Sequence, residues 1–297
     1  MEEMTTKANA MAEVYGAAPA LDLSKVKNLS AAKSKGSISS EVEKKVESSK
    51  KSKFCFIEEH EFNLPSNGFL YKDAEDEDIR RGIIRLRPMT LADEQILSNQ
   101  AYIKNGSVFR RLINSCMLNN FDAKDFVSYD MYYIIYALRQ ITYGTDYNFD
   151  VTCPECENTF NHEMLMSEVE FDEITEEIET TRTIKLPNSK YTVSLRYGTI
   201  GDEETMEKYP NKNNYSELAV AFSIKTTEVL DEKGDPINPK DYPDFYEAIP
   251  AKDRVEIAKF FTDISNILKV PEITCTCPKC GYENKMEVPF SKDFFRY

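Results

Sequence analysis

Val151-Thr-Cys-Pro-Glu-Cys-Glu-Asn-Thr-Phe160 places two cysteines around a tight turn between strand-like flanks, and Thr276-Cys-Pro-Lys-Cys-Gly-Tyr-Glu-Asn-Lys-Met-Glu-Val288 does so again. The Cys-x-x-Cys spacing lets two thiolates aim at one ion, and the proline fixes φ inside the turn. Amides that follow the first cysteine are placed to donate to its sulfur. Two such knuckles supply the four sulfurs of a closed tetrahedral Zn2+ site, with Zn–S of about 2.3 Å. The expected ligands are Cys153, Cys156, Cys277 and Cys280, holding one Zn2+ per chain. Four thiolates leave no open position for a substrate, so the expected job of the metal is structural. A single Cys-x-x-Cys also suits a redox pair, but two proline-containing copies favour the metal.

The spacing between the knuckles is the difficulty. They are separated by 120 residues, against the roughly 15–20 usual between paired knuckles. An internal repeat removes it. Leu64-Pro-Ser-Asn-Gly68 is matched by Leu186-Pro-Asn-Ser-Lys190. Leu86-Arg-Pro-Met-Thr-Leu-Ala-Asp-Glu94 is matched by Leu195-Arg-Tyr-Gly-Thr-Ile-Gly-Asp-Glu203. Leu64 to Leu186 is 122 positions, Asp130 to Asp253 is 123 and Cys153 to Cys277 is 124, whereas Thr90 to Thr199 is 109. The first hairpin loop is therefore the longer one, and the second copy makes up the length among its helices. A period this long means two lobes and not a solenoid. A pseudo-twofold relation between the lobes would bring the knuckles together.

The expected fold is α+β: internally duplicated lobes, each a β-hairpin, helices and a knuckle, joined by a shared zinc-ribbon-like site. The first lobe spans 54–167 and the second 168–297. Alternation predicts strands at Phe54–Leu64, resuming at Phe69-Leu-Tyr71, and at Gly82–Pro88 and Tyr147–Cys153. Asp73–Asp78 reads as an acidic loop. Thr90 with Asp93 reads as a capping box opening a helix. Ser107 opens another, with Val108, Leu112, Ile113, Cys116 and Met117 at helical spacing. A third runs from about Asp130 to a stop at Gly144. In the second copy, helices are expected at about Ser216–Val229 and Ala251–Leu268, with a hairpin turn at Asp231-Glu-Lys-Gly-Asp-Pro236.

Residues 1–53 differ in character. They hold ten lysines and seven acids, a balance of +3, so the remainder of a chain of net charge −14 carries −17. One aromatic, Tyr15, lies among them, and Ser30–Lys53 is Ser, Lys, Glu and Ala with one Gly and few apolar residues. Such a composition buries too little apolar surface to offset chain entropy, and a disordered N-terminal arm is expected. Ala8–Leu23 reads as a flexible arm or as a short helix that docks on a partner. No apolar stretch suits a secretory signal or a membrane span. An intracellular, reducing setting follows, in which cysteines serve metal or core before disulfides.

Other candidates carry weaker claims. Cys275 precedes Cys277 on the same strand face, but its counterpart is Val151, so it is left outside the ligand set; His162 is the other conceivable substitute. Cys116 reads as core and Cys55 as an unpartnered strand residue. His60, among Glu58, Glu59 and Glu61, reads as an exposed strand histidine. The acidic runs lack EF-hand spacing, and no phosphate loop, nucleophile elbow or His-Glu-x-x-His is present. The Tyr129–Tyr143 helix reads equally as an interface or as a helix sandwiched between lobes. The aromatic Phe290-Ser-Lys-Asp-Phe-Phe-Arg-Tyr297 is expected to dock on its own domain or a neighbour.

The order Leu-Pro-Ser-Asn-Gly, Leu-Arg-Pro-Met-Thr-x-x-Asp-Glu, Arg139-Gln-Ile-Thr-Tyr-Gly-x-x-Tyr147, Cys-Pro-Glu-Cys, then Cys-Pro-Lys-Cys-Gly and Phe-Phe-Arg, resembles the baseplate hub proteins of T-even-like contractile-tailed bacteriophages. The resemblance covers Phe54 to Tyr297 and not the N-terminal arm. It implies a non-enzymatic structural or hub-assembly protein, found in the host cytoplasm during assembly and in the virion tail baseplate. Its implied partners are other tail and baseplate proteins, with no membrane and no small-molecule substrate. The rival is a zinc-ribbon module that binds nucleic acid. Against it stand the acidic body and Glu155, Glu157 and Glu163 around the first knuckle, where phosphate binding needs Lys and Arg.

Overall fold

The computed structural model describes residues 58–210, 214–290 and 294–295. The expected N-terminal arm, Cys55 and the start of the Phe54–Leu64 strand lie outside them. Among the described residues the fold is a mixture of helices with four small antiparallel sheets.

In the first half, β1 (His60–Asn63) pairs with β2 (Ile83–Leu86) across a long connection. The expected return to a strand at Phe69–Tyr71 is not observed. Asn67 and Gly68 take φ of 51° and 72°, and the chain coils through successive turns: Phe69 N–H donates to Ser66 O at 3.1 Å and Tyr71 N–H to Gly68 O at 2.9 Å. Gly68 is required here, because a Cβ would strike the carbonyl oxygen of Arg80 and the nitrogen of Gly82. The expected acidic loop at Asp73–Asp78 is also only partly a loop. Asp76 caps a short helix α1 (Glu77–Arg80), accepting from Ile79 N–H at 3.1 Å, and it ties in Asn120 N–H at 2.8 Å.

Helices α2 (Leu91–Leu97), α3 (Gln100–Lys104) and α4 (Val108–Cys116) follow, then α5 (Ser128–Tyr143). Gly144 ends α5 at φ 87°. Tyr129, Tyr132, Ile134, Ile135, Tyr136 and Leu138 are all buried, so α5 is covered on every side. Phe171 packs on Tyr129, Tyr133 and Tyr136 with ring centroids 5.4–5.5 Å apart, and Phe290 packs on Tyr132 and Tyr136 at 5.2 and 5.6 Å. Of the two readings of this helix, the sandwiched one describes it. The hairpin β3 (Asp146–Thr152) and β4 (Thr159–Leu165) completes this half.

The second half places β5 (Thr181–Lys185), β6 (Thr192–Arg196) and β7 (Thr226–Leu230) in one sheet, with α6 (Ile200–Glu207) and α7 (Glu217–Lys225) between β6 and β7. The helix expected through Val229 thus stops at Lys225. Thr226-Thr-Glu-Val-Leu230 is rich in β-branched residues and pairs with β6 instead. The expected turn after it is present: Asp231 N–H donates to Asp235 O at 2.8 Å, around Gly234 at φ 91°. Helices α8 (Tyr242–Ala248) and α9 (Ala251–Ile267) lead to the hairpin β8 (Glu272–Thr276) and β9 (Glu283–Glu287).

Several contacts of the first half have counterparts in the second. Arg87 grips Asp93 at 2.7 Å and reaches Ser115 O at 2.7 Å; Arg196 grips Asp202 at 2.6 Å and reaches Ile224 O at 3.1 Å, each partner 109 positions on. Asp93 and Asp202 also take the N–H of Thr90 and Thr199, at 2.7 and 2.9 Å, which fixes the first turns of α2 and α6. Leu86 bridges Met117 where Leu195 pairs with Thr226, so the first half keeps one bridge of what is β7 in the second.

Two hydrophobic clusters result, and they interleave. The first takes Ile200, Val270, Cys275, Val288, Phe294 and Phe295 from the second half. The second takes Val127 and Tyr129 from the first. The connection 167–180 runs between them, held by Ile174 N–H to Pro65 O at 2.8 Å and Tyr129 OH to Asp172 O at 2.6 Å.

Candidate metal centre

Each knuckle is the turn of a two-stranded hairpin. In the first, Cys153 N–H donates to Asn158 O at 2.9 Å and Glu157 N–H to Cys153 O at 3.0 Å. In the second, Cys277 N–H donates to Tyr282 O and Gly281 N–H to Cys277 O, both at 2.9 Å. The residue that closes each turn is left-handed, Gly281 at φ 75° and Glu157 at φ 56°. Glycine adopts this at no cost, and the first knuckle does it with a side chain.

The four sulfurs meet. Cys153 Sγ lies 3.6 Å from Cys280 Sγ, and Cys156 Sγ lies 3.7 Å from Cys277 Sγ. All four are within 4.8 Å of one another. Four sulfurs at about 2.3 Å from a tetrahedral Zn2+ stand about 3.8 Å apart, so the observed cluster is the size such an ion needs. A hard ion such as Mg2+ or Ca2+ asks for oxygens, which this set lacks. The pairing is crossed: the first cysteine of each knuckle lies against the second of the other. Cys153 and Cys277 are buried, Cys156 half-buried and Cys280 exposed, so the centre sits at the surface with one open rim.

The electrostatics prepare thiolates unevenly. Burial raises the Cys277 thiol, but the N–H groups of Cys280 and Lys279 outweigh it and bring it down to about 6. Cys280 receives the Tyr282 N–H, yet burial and the sulfurs of Cys156, Cys153 and Cys277 push it up to about 12. Four thiols this close do not all ionise without a cation between them, so deprotonation and the binding of a metal there would be one event.

The other sequence candidates lie elsewhere. Cys275 is buried in the first cluster, outside the four-sulfur group, and burial raises its thiol. His162 packs edge-on against Phe149 at 5.5 Å on β4 and is not part of the group. Cys116 is fully buried on α4, where burial pushes its thiol up strongly. His60 lies on β1, partly exposed, 3.5 Å from Glu58.

What holds the knuckles in register went unread in the sequence. The inner face of β3, Tyr147, Phe149 and Val151, is buried, and Tyr147 OH donates to Pro289 O at 2.9 Å. Phe294 is fully buried against Tyr147 and Tyr136, at 5.2 and 5.9 Å. The expected docking of the aromatic C-terminal segment is thus onto this same chain for Phe290, Phe294 and Phe295. Buried Asp130 and Asp253 were also missed as anchors. Asp130 accepts from Tyr71 OH at 2.5 Å and Ser66 N–H at 3.3 Å; Asp253 accepts from Asn188 N–H at 2.8 Å and Ser189 N–H at 2.7 Å. Each holds the Leu-Pro turn of its own half against the start of its long helix. The signal was available: an acid at the third helical position, 123 positions apart in both copies.

Among the described residues no helix is long and apolar enough to cross a membrane. No curated protein and no solved structure matches the chain. A family model described as T4 bacteriophage base plate protein matches residues 57–296, from just before β1 past the second knuckle. With that match covering both hairpins, both long helices and all four clustered cysteines, the chain belongs to the T4 bacteriophage base plate protein family.

Proposed function

We propose that this chain is a non-enzymatic structural or assembly protein of the phage tail baseplate hub, working by contact with other tail proteins, with one Zn2+ on Cys153, Cys156, Cys277 and Cys280 clamping its two lobes. The observation that carries the reading is the four-sulfur cluster, assembled from hairpins 120 residues apart in a chain of a base plate family. Family membership supports a place in the virion tail. Assembly in the host cytoplasm before incorporation is part of the same proposal. The lobes, 54–167 and 168–297, are read as copies of one unit. The matched Arg–Asp pairs, capping aspartates and knuckles support this. The zinc adds no reactive position; it closes a zinc-ribbon-like joint between two hairpins whose inner faces share a core. Against nucleic acid as the partner stand Glu155 and Glu157 at the first knuckle, both exposed, and the balance of −17 outside the first 53 residues.

Metal analysis tests the clamp: one zinc per chain is expected, and a metal-free protein whose cysteines alkylate readily in the native state would refute it. Co-purification from an infected lysate tests the role. Recovery of tail proteins with the chain is expected; recovery of nucleic acid in a salt-sensitive complex instead overturns the hub reading in favour of the ribbon module.

A further inference from the structure

The turn 64–71 makes two sets of contacts. On one side it holds the connection 167–180 that joins the halves. Pro65 O accepts from Ile174 N–H at 2.8 Å, and Asn67 Nδ2 donates to Ile174 O at 2.7 Å and to Glu173 Oε1 at 2.9 Å. Lys72, next along the chain, pairs with Glu177. On the other side the turn is fastened to the start of α5 by Asp130. This carboxylate accepts from Ser66 N–H at 3.3 Å and from Tyr71 OH at 2.5 Å, and the same phenol oxygen accepts from Val127 N–H at 3.2 Å.

That fastening suits an acid better than an anion. Asp130 is fully buried, with one long N–H and one phenol as its hydrogen-bond donors. The groups that face it are Ser66 and Tyr71 from the turn, and Tyr129 and Tyr133 from its own helix. No Lys, Arg or His acts on it, and burial pushes its carboxyl up to about 6. The turn at 186–190 differs on both counts. Its Asp253 takes the N–H groups of Asn188 and Ser189 at 2.8 and 2.7 Å, with Lys190 acting on it as well. Among the described residues no hydrogen bond or ion pair runs from that turn to the connection. The turn that holds the connection is thus the one fastened by a dry, cation-free carboxyl.

We propose that the turn 64–71 is a pH-dependent clasp on the connection between the halves, shut while Asp130 is protonated and opening when Asp130 ionises. A charge in this site lacks the donors and the cation that would hold it, and opening the turn brings it water. The folded-state value lies above the 3.8 of an open, hydrated carboxyl. The clasp is therefore at full strength below about pH 4 and weakens as pH rises through about 6. Opening frees Glu173 and Ile174 from the turn. Phe171 on its three tyrosines, and Asp172 O on Tyr129 OH, are held from α5 and stay in place. The device needs neither the metal nor a place in the hub.

Amide hydrogen exchange on the full chain at single-residue resolution, at pH 5 and pH 8 and corrected for intrinsic exchange, tests it. The opening equilibrium at Ser66 and Ile174 N–H is expected to rise about tenfold from pH 5 to pH 8, the factor that linkage gives for a carboxyl moved from 3.8 to about 6. Asn188 and Ser189 N–H should stay level, because burial opposes but their own bonds hold Asp253 below the usual range, ionised at both pH values. Asp130→Asn should abolish the rise. If that variant folds poorly, Tyr71→Phe serves: the phenol is worth more to a carboxylate than to its acid, so its loss should speed Ile174 exchange more at pH 8 than at pH 5. An Ile174 amide that ignores pH overturns the proposal, as does a rise that Asn188 and Ser189 share, which would mark global opening. So does an Asp130→Asn chain that keeps the rise, or a Tyr71→Phe chain that gains equally at both pH values.

Discussion

Asp130 and Asp253 stand at the same place in two matched long helices, both buried, both holding a Leu-Pro turn, and their electrostatics are opposite. Asp253 takes two backbone N–H donors below 2.9 Å, and although burial opposes them they hold its carboxyl below the usual range. Asp130 takes one long N–H and one tyrosine hydroxyl, and burial pushes its carboxyl up to about 6. One inserted loop accounts for the difference. The first half's longer connection brings Tyr71 in beside Asp130, and a phenol replaces a backbone donor. The same geometric job is thus done by an ionised group in one half and a readily protonated one in the other.

The largest test of the likeness is at the metal. Cys153→Ser and Cys277→Ser should each lose several kcal/mol of stability in zinc, and to a similar degree, since each removes one ligand of one shared ion. A neutral result for either, in chemical denaturation, would mean the knuckles do not share it. The Arg–Asp pairs should separate the halves next. Arg87 and Asp93 are 13% and 1% exposed, against 33% and 14% for Arg196 and Asp202. Asp93→Asn is expected to cost about 3 kcal/mol by leaving Arg87 nearly dry and unpaired, and Asp202→Asn about half that. Equal losses would show that burial does not decide the strength of these pairs.

The smallest effect is the one that discriminates best, because it changes sign. The folded-state pKa of Asp130 lies above its unfolded value of 3.8, so the stability it contributes is full below about pH 4 and is lost as pH rises through about 6. Asp253 is depressed, so its contribution is present above the ordinary carboxylate range and is lost as pH falls through its folded value. Asp130→Asn should therefore match or exceed the parent in stability at pH 8 and fall below it at pH 4. Asp253→Asn should cost about 2 kcal/mol at pH 7, the worth of charge-assisted hydrogen bonds to a buried carboxylate, with the gap narrowing in acid. Parallel pH profiles for the two variants would erase the contrast.

Much of the site was legible because its chemistry is local. A cysteine knuckle needs only a few consecutive residues, and reading the two halves as a repeat gave the reason to pair knuckles that spacing alone kept apart. Capping boxes and Gly144 were readable for the same reason. What escaped depended on distant partners. Phe69–Tyr71 alternates like a strand, but left-handed Asn67 and Gly68 coil it into turns, and Tyr71 ends on the distant Asp130. Thr226–Leu230 continues the helical run of α7 in sequence, yet β6 offers it a free edge. The two lobes were separable as patterns while their cores were not, because a pattern shows which face is apolar and not whose partner covers it.

The pairing of Tyr147 with Pro289, 142 positions apart, has a consequence in time. At a synthesis rate of roughly 5–20 residues per second, the β3–β4 hairpin waits on the order of ten seconds or more before the segment that covers it exists. During that wait Tyr147 lacks its Pro289 acceptor and its Phe294 ring contact. A nascent chain halted before Pro289 would carry a finished first knuckle without these last contacts, and the step that commits the protein to its native state comes late, when they form.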